Sequence, residues 1–262
     1  MKNKLLIIAI ITIVGFTMIA CDKSNESPGA SENASESVKS GNSGVKIITS
    51  ADELKAYLDK QPANNSDKPI KVTVSINDLM MKSIADVIKS ADKYVDLNIS
   101  GNVLTTIPKS VFSGCETLVG ITMPDSVTAI GDLAFSGCEN LVRVKIPDSV
   151  TSIGFGAFEK CAELPSITIG NGVSKIESSA FFGCKNLASV TIGSGVTSIG
   201  RSAFFGCKNL TSVTFERAGT NLGNTNEFID DDNTSFLRTA YTNGGIGTYT
   251  RASTKGVTWT KQ

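Results

Sequence analysis

Apolar residues in the second half of the chain return at a fixed interval. Phe112, Phe135, Phe158, Phe181 and Phe204 stand 23 residues apart, as do Cys115, Cys138, Cys161, Cys184 and Cys207. Leu118, Leu141, Leu164, Leu187 and Leu210 keep the same period, followed by Ile121, Val144, Ile167, Val190 and Val213, then Met123, Ile146, Ile169, Ile192 and Phe215. Four valines (Val127, Val150, Val173, Val196) and four isoleucines (Ile130, Ile153, Ile176, Ile199) complete the unit. The alternation of Ile121 and Met123 with polar neighbours predicts a short strand with one inward face. Val127 with Ile130 predicts a second inward segment, and the spacing of Ala134, Phe135 and Cys138 fits a short helical or 3₁₀ turn on the outer side. The glycines after the isoleucines (Gly131, Gly154, Gly200) are expected to serve a turn with positive φ.

No single unit can bury its own apolar edge, so the units must stack and share one continuous core. A period of 23 falls in the leucine-rich-repeat range. The fold class expected is therefore an α+β repeat solenoid: a right-handed leucine-rich-repeat solenoid with about five 23-residue repeats over residues 94–216. An open stack also needs covered ends. Before the array, Ser50 with Glu53 forms a capping-box pattern ahead of Leu54 and Leu58. Ile70, Val72, Val74 and Ile76 alternate as on a half-buried strand. Asp78 is expected to cap a second helix carrying Met80, Ile84, Val87, Ile88 and Ala91 on one face. Residues 45–93 thus read as a helix–strand–helix cap. After the array, Gly247–Arg251 and Val257–Lys261 read as a β-hairpin within a C-terminal cap over residues 217–262.

The first 44 residues differ in kind. Lys2 and Lys4 precede the apolar run Leu5–Ala20, whose 16 residues fall short of a spanning helix. This is the layout of a secretory signal peptide over residues 1–20. Met18-Ile19-Ala20-Cys21 resembles a lipobox, with Met18 where leucine is usual and Ile19 where a small residue is usual. The resemblance implies cleavage before Cys21 and acylation of that residue; an ordinary signal peptide with a nearby cysteine is the alternative. Residues 22–44 are rich in Ser, Glu, Asn and Gly and cannot bury enough apolar surface to fold. As a flexible tether they would span about 24–29 Å.

Charge and composition narrow the function classes. The chain carries 25 basic and 25 acidic residues; without Lys2 and Lys4 the balance is 23 against 25, a net charge of −2. Nothing in that balance favours nucleic acid. The chain has no histidine, which removes the commonest general base and metal ligand. Without paired carboxylates on the predicted face either, the reading is not an enzyme, with no cofactor and no metal. The five array cysteines share one inward position. Buried free thiols, one or two disulfides and a metal site are the alternatives; the absence of C-x-x-C and of His leaves zinc without its usual ligands, and free thiols fit best.

The wording I-P-x-S-V-T-x-I-G-x-x-A-F-x-x-C-x-x-L across residues 121–210 is similar to the BspA-like leucine-rich repeats of bacterial surface antigens. The resemblance covers residues 95–216. It implies a cell-surface protein that binds rather than catalyses, with adhesion to host extracellular-matrix proteins, to other bacterial surface proteins or to glycans as the expected role. Together with Cys21 it implies a lipid anchor in the bacterial envelope, at the surface of the outer membrane. A periplasm-facing scaffolding lipoprotein is the alternative. The shared motif is structural and transfers no ligand contact.

The candidate binding face must come from the outward strand positions on the concave side. These are Val119, Gly120 and Thr122 in the first repeat and their equivalents, with Thr122, Arg143, Lys145, Thr168, Thr191 and Thr214 as the leading residues. The face is hydroxyl-rich with one basic spot. Thr also simply suits exposed strand positions. Phe182 and Phe205 form a second candidate patch, unless the C-terminal segment covers them. Asp230–Asn233 suggests calcium, but Ser235 and Tyr241 stand where an EF-hand loop needs Gly and Glu, and a solvated loop or helix N-cap is the better reading.

Overall fold

The computed structural model describes residues 46–222, 241–242, 244–252 and 258–262. The signal peptide, Cys21, the tether and Asp230–Asn233 lie outside the described residues.

The elements follow one another as β1 (Ile47–Ile48), α1 (Ala51–Asp59), β2 (Ile70–Ser75), α2 (Asp78–Ser90), β3 (Val95–Ser100) and β4 (Thr106–Ile107). Long and short strands then alternate: β5 (Leu118–Thr122), β6 (Ala129–Ile130), β7 (Arg143–Lys145), β8 (Ser152–Ile153), β9 (Ser166–Ile169), β10 (Lys175–Ile176), β11 (Ser189–Ile192), β12 (Ser198–Ile199) and β13 (Ser212–Phe215). Strands β14 (Gly247–Thr250) and β15 (Thr260–Lys261) close the order. The short strands form one parallel sheet, β12-β10-β8-β6-β4. The long strands form two sheets, β1-β2-β3-β5-β7 and β15-β14-β13-β11-β9. This is a leucine-rich-repeat fold, with repeated parallel strands and, among the described residues, the helices α1 and α2.

The repeat pattern explains the core. Each coil contributes Leu, two strand residues, Val, Ile, Ala, Phe and Cys, nearly all of them buried in one continuous cluster. The rings of Phe112, Phe135, Phe158, Phe181 and Phe204 stack at 5.1–5.4 Å between centroids. The cysteines are free and buried. Each thiol from Cys138 onward donates to a carbonyl of the preceding coil: Cys138 to Phe112, Cys161 to Phe135, Cys184 to Phe158 and Cys207 to Phe181, at 3.1–3.2 Å. Cysteine is thus small enough for the core and still satisfies a buried acceptor. A second ladder binds the coils at the short strands, where the hydroxyls of Thr128, Thr151, Ser174 and Thr197 donate to the carbonyls 23 residues earlier at 3.0–3.2 Å.

The parallel stack starts before the 23-residue units. Ile47 pairs with Thr73, 26 residues on, and Ile70 with Val95, 25 on. The extra length of those coils accommodates α1 and α2 on the outer side. Ser50 caps α1, accepting from Glu53 N at 3.1 Å, while the Glu53 carboxylate accepts from Thr49 N at 3.0 Å. The cap of α2 corrects the sequence reading. Asn77 fills that position, accepting from Met80 N at 3.1 Å. Asp78 instead accepts from the N–H and hydroxyl of Thr105 at 3.0 and 2.9 Å, tying the helix to the array. The buried face of α2 is Met81, Ile84, Ala85 and Ile88, turned slightly from the expected one.

The expected role of the repeat glycines is also corrected. Gly131, Gly154 and Gly200 do not have positive φ. They are small because a Cβ there would lie 2.4–2.7 Å from backbone nitrogen of the preceding coil. The left-handed positions lie elsewhere, at Gly137 and its equivalents Gly114, Lys160, Gly183 and Gly206, and at Leu133 with Ser110, Gly156, Ser179 and Ser202. Two left-handed residues per coil turn the chain through a hydrogen-bonded turn on the outer side.

At the C-terminal end β14 pairs antiparallel with β13 and β15 with β14. Phe215, Tyr241 and Tyr249 pack their rings together there. Arg251 is buried, donates to Leu210 O at 2.7 Å and lies over the Trp259 ring at 5.4 Å.

Candidate protein-interaction face

Outward residues of the long strands form in-register rows. In one row Thr168, Thr191, Thr214 and Thr248 stand side by side, and in the next Ser166, Ser189, Ser212 and Thr250. Thr214 and Thr248 hydroxyls are 2.9 Å apart. Sheet pairing produces these rows directly, because residues of equal phase in successive coils become neighbours.

The other half of the face is charged. Thr122 lies between Asn98 and Lys145, and Gly120 between Asp96 and Arg143. Arg143 reaches across Gly120 to Asp96 at 3.0 Å. A Cβ on Gly120 would lie 2.2 Å from the Asp96 carboxylate, so glycine is what opens the space for this pair. Arg143 and Lys145 are exposed, as the sequence suggested; Lys145 makes no ion pair among the described residues. Two residues expected on the face are not there. Val119 is fully buried and Gly120 is buried under the ion pair, because the strand carries an irregularity opposite Val95 and Asp96 that turns Val119 inward.

Between the two halves the face is interrupted, since β7 and β9 do not pair. At this level in other coils Val142 N donates to Val119 O, Ala188 N to Pro165 O and Thr211 N to Ala188 O, at 2.8–3.0 Å. Pro165 occupies the donor position and has no N–H. Beside the break lies a cleft of about 430 Å³ lined by Asp96, Thr122, Arg143, Val144, Lys145 and Ser166 among others. By strand alternation Pro165, the equivalent of Val119, counts as one more face residue, and nothing in the repeat points to Asp96. A proline inside a strand pattern was the available signal for the break; the Asp96–Arg143 pair, 47 residues apart, left no local signal.

Phe182 and Phe205 are half-buried and stack on each other at 5.5 Å. They sit on the outer turns and not on the strand face, so they belong to a separate surface. The buried thiols are chemically quiet. Burial pushes Cys138 far above the ordinary thiol range, and burial with the neighbouring thiols Cys184 and Cys138 does the same to Cys161. A protonated, inaccessible thiol is a packing group and not a nucleophile. Among the described residues no cluster of His, Cys, Asp or Glu could hold a metal.

Residues 105–231 match the family model for the BspA type leucine rich repeat region, in six copies. Over that segment the array is similar to the BspA-type leucine-rich repeats. No curated protein matches the chain. Among solved structures, a Treponema pallidum leucine rich repeat protein is 26% identical over 66% of this chain and 71% of its own, with a TM-score of 0.45. A leucine rich cell surface protein of Faecalibacterium prausnitzii A2-165 is 25% identical over 68% of this chain and 45% of its own, with a TM-score of 0.46. A leucine-rich repeat protein of Bacteroides ovatus is 20% identical over 62% of this chain and 51% of its own, with a TM-score of 0.35. This chain thus spans about half the length of the second and third. BspA-type arrays are interaction scaffolds of the leucine-rich-repeat kind, whose stacked coils offer an extended binding surface.

Proposed function

We propose that this chain is a non-enzymatic, cell-surface lipoprotein whose BspA-type array binds a partner protein or glycan through the long-strand face. The observation that carries the reading is the face itself. It is a broad in-register surface of Thr168, Thr191, Thr214 and Ser166, Ser189, Ser212, flanked by Arg143 and Lys145, and the core does not use these side chains. In this reading five 23-residue coils form the array, residues 45–93 close its N-terminal end and residues 217–262 its C-terminal end. Cys21 carries the lipid, and residues 22–44 hold the array off the membrane. The partner class is a host extracellular-matrix protein or a surface component of another bacterium. Support for surface display comes from the BspA-type repeats and from the lipobox-like Met18–Cys21 segment.

Protease treatment of intact cells, blotted against a periplasmic control, tests the location. Loss of this protein alone supports display at the surface. Survival of both until the outer membrane is opened leaves a periplasm-facing scaffold in its place. Adhesion of displaying cells to immobilised matrix proteins and to other bacteria tests the face. Thr168→Arg with Thr191→Arg should abolish adhesion without unfolding the array, and unchanged adhesion would remove the face from the reading.

A further inference from the structure

The outer turns carry a second ordered surface, made by the residues around each cysteine. Backbone hydrogen bonds hold these turns in register. Gly137 N donates to Glu159 O, Lys160 N to Phe182 O and Gly183 N to Phe205 O at 2.7 Å. After the cysteines Glu163 N donates to Glu139 O and Asn186 N to Ala162 O at 3.0–3.1 Å. Residues of equal phase therefore stand in rows, one coil apart. The stacked rings advance 5.1–5.4 Å per coil and tilt by only 1–9°. That step is close to the roughly 4.8 Å between paired strands, so over this stretch the rows are nearly straight and the surface nearly flat.

The row directly after the cysteines reads Glu116, Glu139, Ala162, Lys185 and Lys208. The four charged residues are exposed, and among the described residues none of them makes an ion pair. Like charges thus stand side by side at both ends, which is unfavourable until opposite charges arrive. Read in the reverse direction, the row has the opposite charge at each of these places. A second copy turned end for end, about a two-fold axis that crosses the rows at Ala162, supplies the match. It sets Glu116 against Lys208 and Glu139 against Lys185, once for each copy.

The same rotation brings every other row against its own equivalent. On the near side of the cysteines stand Ser113, Ser136, Glu159, Phe182 and Phe205. The half-buried rings of Phe182 and Phe205, stacked at 5.5 Å, would lie on Ser136 and Ser113 of the other copy. Gly137 and Gly114 adjoin those serines and leave room; a Cβ on Gly114 would meet nothing within 4 Å. On the far side Asn186 and Asn209 would meet Asn140 and Thr117, groups able to hydrogen-bond one another. Lys160 lies at the axis and faces its own copy, but Glu159 pairs with it at 3.3 Å. The match ends one row further out, where Lys109 would face Arg201, so the contact stops at the aromatic pair.

We infer that this surface joins two copies of the chain in an antiparallel, two-fold pair centred on Ala162. Exposed ion pairs are individually weak, so the four together set register more than strength. The Phe182 and Phe205 rings add apolar contact. The footprint is only a few residues wide, short of a permanent dimer, so the pair forms in the micromolar range or weaker and the chain is a monomer below it. The contact uses the outer turns and leaves the long-strand faces of both copies open.

Sedimentation velocity of the full chain in mild detergent, over a range of concentrations, tests the pairing. The wild type should dimerise, and about 1 M salt, where the screening length is about 3 Å, should weaken the dimer about tenfold or more. Lys185→Glu with Lys208→Glu should abolish it, and so should Glu116→Lys with Glu139→Lys. Mixing these two variants should give a one-to-one heterodimer, because an all-acidic row then meets an all-basic one; misfolded chains could not do this. A chain carrying all four changes should again pair with itself. Phe182→Ser with Phe205→Ser should weaken the dimer about tenfold. A wild type that stays monomeric at every concentration overturns the inference. A dimer that survives charge reversal, or folded reversed variants whose mixture stays monomeric, overturns it equally.

Discussion

At the residue scale the repeat motif divides into positions with different physical duties. The cysteine is a hydrogen-bonding core residue. Cys161→Ala removes both the thiol packing and the donor to Phe135 O, and denaturant unfolding should show a loss of about 1–3 kcal/mol. Its protonation also sets a pH limit. Because burial raises the thiol of Cys161 above the ordinary value of 9.0, the unfolded chain releases that proton first. The contribution is whole below about pH 9 and is lost as pH rises further. The denaturation midpoint of the wild type should therefore fall more steeply above pH 9 than that of Cys161→Ala; parallel curves would contradict the assignment. Lys160 shows the opposite case, a side chain where geometry favours none. It has φ of 57° where Gly137, Gly183 and Gly206 have 71–75°. Lys160→Gly should raise stability by about 1 kcal/mol in thermal or chemical unfolding.

At the element scale the outer turns, and not helices, hold the 23-residue coils, and the ring stack is their common axis. Phe158 lies between Phe135 and Phe181 at 5.1 and 5.2 Å. Phe158→Ala should cost about 3–5 kcal/mol, more than the same change at the half-buried Phe182. Comparing the two midpoints separates a core ring from a surface ring. The two helices were legible because capping signals and 3.6-residue periodicity are local; the exchange of Asn77 for Asp78 at the second cap was not, because Thr105 competes for Asp78 from 27 residues away. The hairpin at Gly247–Lys261 was legible from alternation, but its antiparallel docking on β13 depends on which edge the array leaves free.

At the scale of the whole molecule the stack must end without offering an open edge, since exposed strand edges invite further pairing. Tyr249, Tyr241, Arg251 and Trp259 occupy the C-terminal end over Leu210 and Phe215. Tyr249→Ala should destabilise the chain by about 3–5 kcal/mol. It should also shift the protein toward concentration-dependent oligomers in light scattering; a monomer of unchanged size would show that the end is closed by other contacts.

The sequence alone determined the repeat and the core, because a fixed period writes the same inward positions into every coil and stacking is the only way to bury them; it gave no sign of β1, whose two residues pair with β2 ahead of the first helix. It also placed Thr168, Thr191, Thr214, Arg143 and Lys145 on one face through strand alternation. What only the tertiary structure decided were relations between coils: the pairing of Arg143 with Asp96 across Gly120, the inward turn of Val119, the close approach that makes Gly131 small, and the parting of β7 from β9 at Pro165. Each depends on which backbone lies beside which after stacking, and a one-dimensional period carries no record of where two neighbouring coils fail to match.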